Sequence, residues 1–123
     1  MHLPEGYQTV MPYLLLEDTN GFLDFTMKVF NATDKGSHKG EDGKIIHGEI
    51  LIGGSCIMFG PAGDRFKTQT AGLFVYVENA DESYQVAIDN GATSIMGLSD
   101  QSYGRTCGVL DPFGNSWWIT SQL

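Results

Sequence analysis

Basic residues are scarce in this chain. Seven Lys and Arg stand against fifteen Asp and Glu, a formal net charge of −8 with neutral histidines. A nucleic-acid interface needs a cationic patch facing the phosphates, and an anionic membrane surface asks for the same. Neither partner is expected. The acidic surplus reads as a solvated surface and modestly favours cationic partners. Cysteine is also rare. Cys56 and Cys107 have no Cys-x-x-Cys neighbour and no metal-ligand spacing, which excludes a clustered thiolate site. No apolar run approaches the roughly 20 residues of a membrane span. Met1-His2-Leu3-Pro4-Glu5 shows neither a charged n-region nor an apolar h-region, so a cytoplasmic protein with reduced thiols is expected.

Glycine and aromatic residues, by contrast, are plentiful: sixteen Gly and seven Phe among 123 residues. They suit a sheet-rich fold with tight turns. The chain is also written twice. A shift of 60 residues carries Ala32-Thr33 onto Ala92-Thr93, Gly48 onto Gly108 and Gly54 onto Gly114. Leu14 then meets Phe74, Leu15 meets Val75, Asp18 meets Glu78, Ile50 meets Leu110 and Phe59 meets Ile119, with no gap. Such a repeat marks one supersecondary unit that cannot bury its apolar face alone. One domain over 1–123 is expected, with a first module at about 9–60, a linker at about 61–70 and a second module at about 71–123.

Each module reads as strand–helix–strand–strand–strand, an α+β pattern. Residues 1–8 read as a loose arm and 10–17 as the first strand. Asp18-Thr19-Asn20 supplies N-cap chemistry for a helix over 20–30. There Phe22, Phe25, Thr26, Val29 and Phe30 form one apolar stripe. Asn31 occupies a left-handed C-cap position. Strands follow at 33–38, 44–52 and 55–60, with turns at Asp42-Gly43 and Gly53-Gly54. The second module begins with a strand at 71–77. Asn79 and Glu82 have capping-box spacing, and the helix stops at Asn90-Gly91. Strands at 93–98, 104–111 and 115–121 complete it, with Pro112-Phe113-Gly114-Asn115 as the last turn.

The segment Gly104-Arg105-Thr106-Cys107-Gly108-Val109-Leu110-Asp111-Pro112-Phe113-Gly114-Asn115-Ser116-Trp117-Trp118-Ile119 resembles the vicinal-oxygen-chelate superfamily of glyoxalases and bleomycin-resistance proteins. His47-Gly48-Glu49-Ile50-Leu51-Ile52-Gly53-Gly54, with Asp100 and Tyr103-Gly104-Arg105, resembles its PhnB-like branch. The resemblance implies two tandem βαβββ modules forming a curved, cup-shaped mixed sheet with helices on the outer face. It also implies a divalent metal held by His, Glu or Gln at four strand positions. Those positions fall here on Pro12 (or Met11), Gly72, Met58 and Trp118. None of these side chains ligates a hard or borderline cation, so no metal cofactor is expected.

Strand alternation assigns the rest. With Met58 and Trp118 facing the cup, Cys56 and Thr120 join them, and Ile57, Phe59, Trp117 and Ile119 face the helices. By the same rule Leu14, Leu16, Phe74 and Tyr76 face the cup, as do His47, Glu49 and Leu51. So do Arg105, Cys107 and Val109, while Ile46, Gly48, Ile50, Thr106 and Leu110 face the helices. The ligand-binding candidates are His47, Glu49, Met58, Phe74, Tyr76, Tyr103 at the rim, Arg105 and Trp118. Rings and a thioether with a few polar points make an ordinary small-molecule lining. His47 and Glu49 are the candidates for proton transfer, with Arg105 as a partner for Glu49 or an anchor for an acidic ligand. Cys56 and Cys107 read as inert small hydrophobes.

Three functions are compatible with this pattern. One is a metal-free protein that binds a small organic molecule, cationic or aromatic, as bleomycin-resistance proteins do. Another is a lyase, isomerase or dioxygenase with a divalent metal at a shifted site. The third is an interaction protein with a vestigial cup. Unpaired sheet edges predict a two-fold homodimer.

Overall fold

The computed structural model describes all residues 1–123, which divide into two compact units, Met1–Thr70 and Ala71–Leu123. In the first, β1 (Tyr13–Leu16) leads into α1 (Thr19–Phe30), followed by β2 (Thr33–Lys39), β3 (Ile45–Ile52) and β4 (Ser55–Pro61). In the second, β5 (Gly72–Tyr76) leads into α2 (Ala80–Asp89), followed by β6 (Thr93–Gln101), β7 (Gly104–Leu110) and β8 (Ser116–Ser121). Each sheet is mixed. Its order is β1-β4-β3-β2 in one and β5-β8-β7-β6 in the other, with the first pair parallel and the others antiparallel. The expected α+β fold of two βαβββ modules is present.

The helices form where their ends are capped. The Asp18 carboxylate accepts from the Gly21 amide, and Asn31 closes α1 in the left-handed region at φ 54°. The Asn79 side chain accepts from the Glu82 amide, and Gly91 follows α2 at φ 99°. Phe22, Phe25, Thr26, Val29 and Phe30 are all buried, as their spacing requires. In α2 only Ala80 and Ala87 are fully buried.

Register decides which face of each sheet meets its helix, since directly opposed residues share a face. Leu14 and Gly48 both stand opposite Phe59, whose ring meets Phe22 of α1 at 5.0 Å. Leu14 and Leu16 are therefore helix-side core residues, not cup residues. The expectation failed because the first strand is offset by one residue: Tyr13, not Pro12 or Met11, lies beside Met58. In the second unit, Ser121 accepts the Ala80 amide at the start of α2, and Trp117, Ile119 and Val75 lie on that same face. Arg105 stands opposite Ser121, Cys107 opposite Ile119 and Val109 opposite Trp117. These three face α2, the reverse of the expectation, while Thr106, Gly108 and Leu110 share the other face with Trp118.

The repeat is thus not gapless. Gly48 stands opposite Phe59, but Gly108 stands opposite Trp118 rather than Ile119. The turns differ too. Ile52 pairs with Ser55 across Gly53-Gly54, whereas Leu110 pairs with Ser116 across Asp111-Pro112-Phe113-Gly114-Asn115. The buried Asp111 carboxylate organises that longer turn. It accepts from the amides of Phe113 and Asn115, from the Asn115 side chain, and from the Trp117 indole at 2.8 Å. A one-residue slip exchanges the faces of every side chain it touches.

The stretch after β4, expected as a linker, folds back on β1: Gln69 and Leu15 exchange both backbone hydrogen bonds. The arm is held as well. The Gln8 side chain pairs with both backbone groups of Cys56, donating at 2.8 Å and accepting at 3.1 Å.

Candidate functional site

The face of each sheet turned away from its helix, the far face, carries most of the candidates. In the first unit Tyr13, Met58 and Glu49 form one row across β1, β4 and β3. His47 lies two residues from Glu49 on the same face. The Glu49 carboxylate accepts the Tyr7 hydroxyl at 2.5 Å and the His47 Nε2–H at 2.8 Å. On the other side of the imidazole, Nδ1 lies 3.0 Å from the Tyr13 hydroxyl. Lys35 Nζ sits 3.8 Å over the Tyr7 ring and 3.7 Å from Glu49. The Tyr7 hydrogen bond, then that of His47, holds the Glu49 carboxyl below its ordinary pKa, so it is a carboxylate at neutral pH. The Lys35 ammonium is held above its ordinary value, chiefly by Tyr7.

Two bulges shape this cluster. Asp34 pairs with Ile50 and Gly36 with Glu49, which leaves Lys35 as an extra residue re-aimed toward Tyr7. His38 pairs with His47 and Lys39 with Ile45, which leaves Ile46 extra. Ile46 is therefore exposed, and not packed toward α1 as strict alternation implied. Gly60, also on this face, leaves room for the Tyr13 ring: a Cβ there would lie 3.4 Å from the Tyr13 hydroxyl.

The second unit's far face is built of rings. Phe74 and Trp118 are directly paired, and Gly108 continues the row to Met96 on β6. A Cβ at Gly108 would lie 2.3 Å from the Trp118 ring, so the indole lies flat over the glycine. Phe74 meets Tyr76 edge-on at 5.2 Å and Tyr103 at 6.2 Å. Phe74, Tyr76 and Tyr103 are 51%, 64% and 54% exposed, and Trp118 is half-buried. Beneath them the Thr106 and Thr120 hydroxyls bond at 2.8 Å.

Arg105 belongs to neither group. Its guanidinium binds Asp81 at 2.5 Å, at the start of α2, and Asp100 at 3.0 Å on β6. The pair raises its pKa further. The partners of Glu49 are Tyr7, His47 and Lys35. Cys56 and Cys107 are free and buried, and burial pushes the Cys107 thiol up to about 11.

Tyr7, Tyr13, Lys35 and Met96 escaped the sequence reading. Tyr13 is the repeat mate of Phe74 once the shift is read as 61 rather than 60 in the first strands. The N-caps Asp18 and Asn79 carry the same offset, and that was the available signal. Nothing local marks Tyr7 or Lys35, because an arm and a bulge put them in place.

A divalent metal does not fit these residues. The row positions hold a phenol, a thioether, a phenyl and an indole. His47 and Glu49 bind each other, and no group of three or more His, Cys, Asp or Glu side chains is arranged around a common point.

No family model matches the chain. An uncharacterised protein of Mycobacterium bovis is 33% identical over 118 residues, covering 86% of this chain and 78% of the relative. The structure of TioX from Micromonospora sp. ML1 superposes with a TM-score of 0.74 at 22% identity, covering 94% of this chain and 97% of that one. A glyoxalase/bleomycin resistance protein/dioxygenase family enzyme from Burkholderia phytofirmans PsJN superposes with a TM-score of 0.73 at 22% identity, over 98% and 100% of the two chains.

Proposed function

The chain belongs to the family of the Mycobacterium bovis protein and carries the glyoxalase/bleomycin-resistance fold of the vicinal-oxygen-chelate superfamily, and from that premise we propose that it binds a small organic molecule without a metal. The observation that carries this reading is the far face of the second unit. Three rings there are more than half exposed and lie beside a half-buried indole. Contiguous exposed aromatic surface on a folded chain marks a binding area. Exposed rings offer a planar or cationic guest a surface to stack on. The net charge of −8 supports a cation. Phe74, Tyr76, Tyr103 and Trp118 are the contact residues. His47, Glu49 and Met58 lie on the far face of the first unit and are that face's own candidates for polar and sulfur contacts. Arg105, on the α2 side of its sheet and paired with Asp81 and Asp100, is not one of these contacts.

A planar aromatic cation such as an acridinium dye tests this. Titration should quench tryptophan fluorescence saturably, and Trp118→Ala and Phe74→Ala should each weaken binding at least tenfold. Absence of saturable binding for a panel of neutral and cationic aromatics would refute it. Stoichiometric zinc, nickel, manganese or iron in protein purified without a tag would replace it with a metal-dependent enzyme.

We also propose a homodimer. β6 is a sheet edge, and Ile95 and Met96 on it are exposed with Leu110 of the neighbouring strand. Light scattering showing only a monomer at micromolar concentration would contradict this.

A further inference from the structure

The far face of the first unit holds a hydrogen-bond chain that runs in one direction. Glu49, a carboxylate, only accepts. It takes Nε2–H of His47 and the hydroxyl hydrogen of Tyr7. Neutral His47 with its hydrogen on Nε2 has a bare Nδ1, which accepts, and the group 3.0 Å away is the Tyr13 hydroxyl. Tyr13 therefore donates its hydrogen inward, and its outward oxygen lone pairs only accept. Exposure falls along the chain: Tyr13 is 48% exposed, and the side chains of His47 and Glu49 are 32% and 15% exposed. Here the phenol stands at the surface and the carboxylate is shielded beneath Tyr7 and Lys35. The order is that of a catalytic triad: reacting hydroxyl, imidazole, orienting carboxylate.

We propose that Tyr13, His47 and Glu49 form a general-base relay that binds and deprotonates a small molecule bearing an acidic hydroxyl, such as a phenol or enol. The substrate O–H donates to the Tyr13 oxygen. Its O–H bond breaks and a new one forms on Tyr13, while the original Tyr13 hydrogen passes to Nδ1 of His47. The products are the substrate oxyanion and an imidazolium whose Nε2–H rests on Glu49. Protons and charge balance, and no electrons leave or enter. Tyr13 is the catalytic residue, His47 the proton acceptor, and Glu49 a positioning residue that acts through His47. Every residue of this relay belongs to the first unit.

The probe is 4-nitrophenol with the full-length chain, because its phenolate has its own absorbance. At a pH where free probe is mostly protonated, saturating protein should raise the phenolate fraction. The pH of half-ionisation should fall by one unit or more, a tenfold rise in the ionisation constant. Tyr13→Phe and His47→Gln should each abolish the shift while far-ultraviolet circular dichroism and melting remain those of a folded chain. Glu49→Gln should return the half-ionisation pH of bound probe most of the way to the free value, an effect that a merely structural role would not produce. Absence of any protein-dependent phenolate signal overturns the proposal. So does a shift that survives unchanged in both Tyr13→Phe and His47→Gln.

Discussion

The two far faces share a strand plan and differ in chemistry. Where the first unit has Tyr13, Met58 and Glu49 in a row, the second has Phe74, Trp118 and Gly108. The first face is a chain of polar groups that bond one another around Met58 and leave only the outer side of Tyr13 open. The second is a set of rings, mostly exposed, with no ion pair among them. The glycines make the same point. Gly48 and Gly108 both lie under an aromatic ring, with a hypothetical Cβ 2.3 Å from it in each case. Under Gly48 the ring is Phe59, sealed in the core against α1. Over Gly108 the ring is Trp118, on the face away from α2. A one-residue difference in hairpin register is enough to move a glycine–ring pair from core to surface. A duplicated unit can keep its backbone and its small residues while changing which face they serve.

The turns provide the sharpest test of that difference. Asp111→Ala should cost about 4 kcal/mol, because it strands the Trp117 indole and the buried amides that the carboxylate now satisfies. Gly53→Ala in the corresponding turn of the first unit, at φ 58°, should cost only about 1 kcal/mol. Urea unfolding followed by circular dichroism reads both, and equal losses would mean that the two turns do equivalent work. The glycines come next. Gly48→Ala should cost about 3 kcal/mol, because Phe59 is fully buried and has nowhere to move. Gly108→Ala should cost about 1 kcal/mol, because a half-buried Trp118 can tilt outward. It should nonetheless weaken dye binding as strongly as Trp118→Ala does. A reversed order of stability loss would show that the ring over Gly108, not the one over Gly48, is the immovable one.

The polar face gives an effect of about 1 kcal/mol that depends on pH. Glu49 has a folded pKa below its ordinary value of 4.5. Its stabilisation is therefore fully present above the ordinary pKa and is lost as pH falls through the lower folded value. Tyr7→Phe removes the first cause of that depression and should cost about 1 kcal/mol at neutral pH. The stability curves of wild type and variant should converge as the pH falls below 4.5. A difference that persists undiminished at acid pH would show that Tyr7 acts through packing and not through Glu49.

The expected elements all appear at or near their expected bounds, because each carries its own local signal. Phe22, Phe25 and Phe30 report a helix stripe, Asn79 a cap, Asn90-Gly91 a stop, and Asp111 through Asn115 a turn. The far-face positions of His47, Glu49, Met58, Phe74, Tyr76 and Trp118 also followed from alternation within single strands. The errors lie between strands. Leu14 and Leu16 were given the wrong face by a one-residue offset in β1, and Arg105, Cys107 and Val109 by the register of β7. Lys35 and Ile46 are bulge residues, and alternation says nothing about where a bulge falls.

Local chain chemistry by itself thus determined the element order, the capped helices, the duplication and the acidic character of this protein. Only tertiary structure decided which of two neighbouring residues faces a helix, that Glu49 answers to Tyr7 and Lys35, that Arg105 answers to Asp81 and Asp100, and that Tyr13 stands beside His47. The physical reason is the two-residue period of a strand. Composition and spacing specify that period well, but its phase is set by turn length, bulges and the partner strand, which are properties of the assembled sheet.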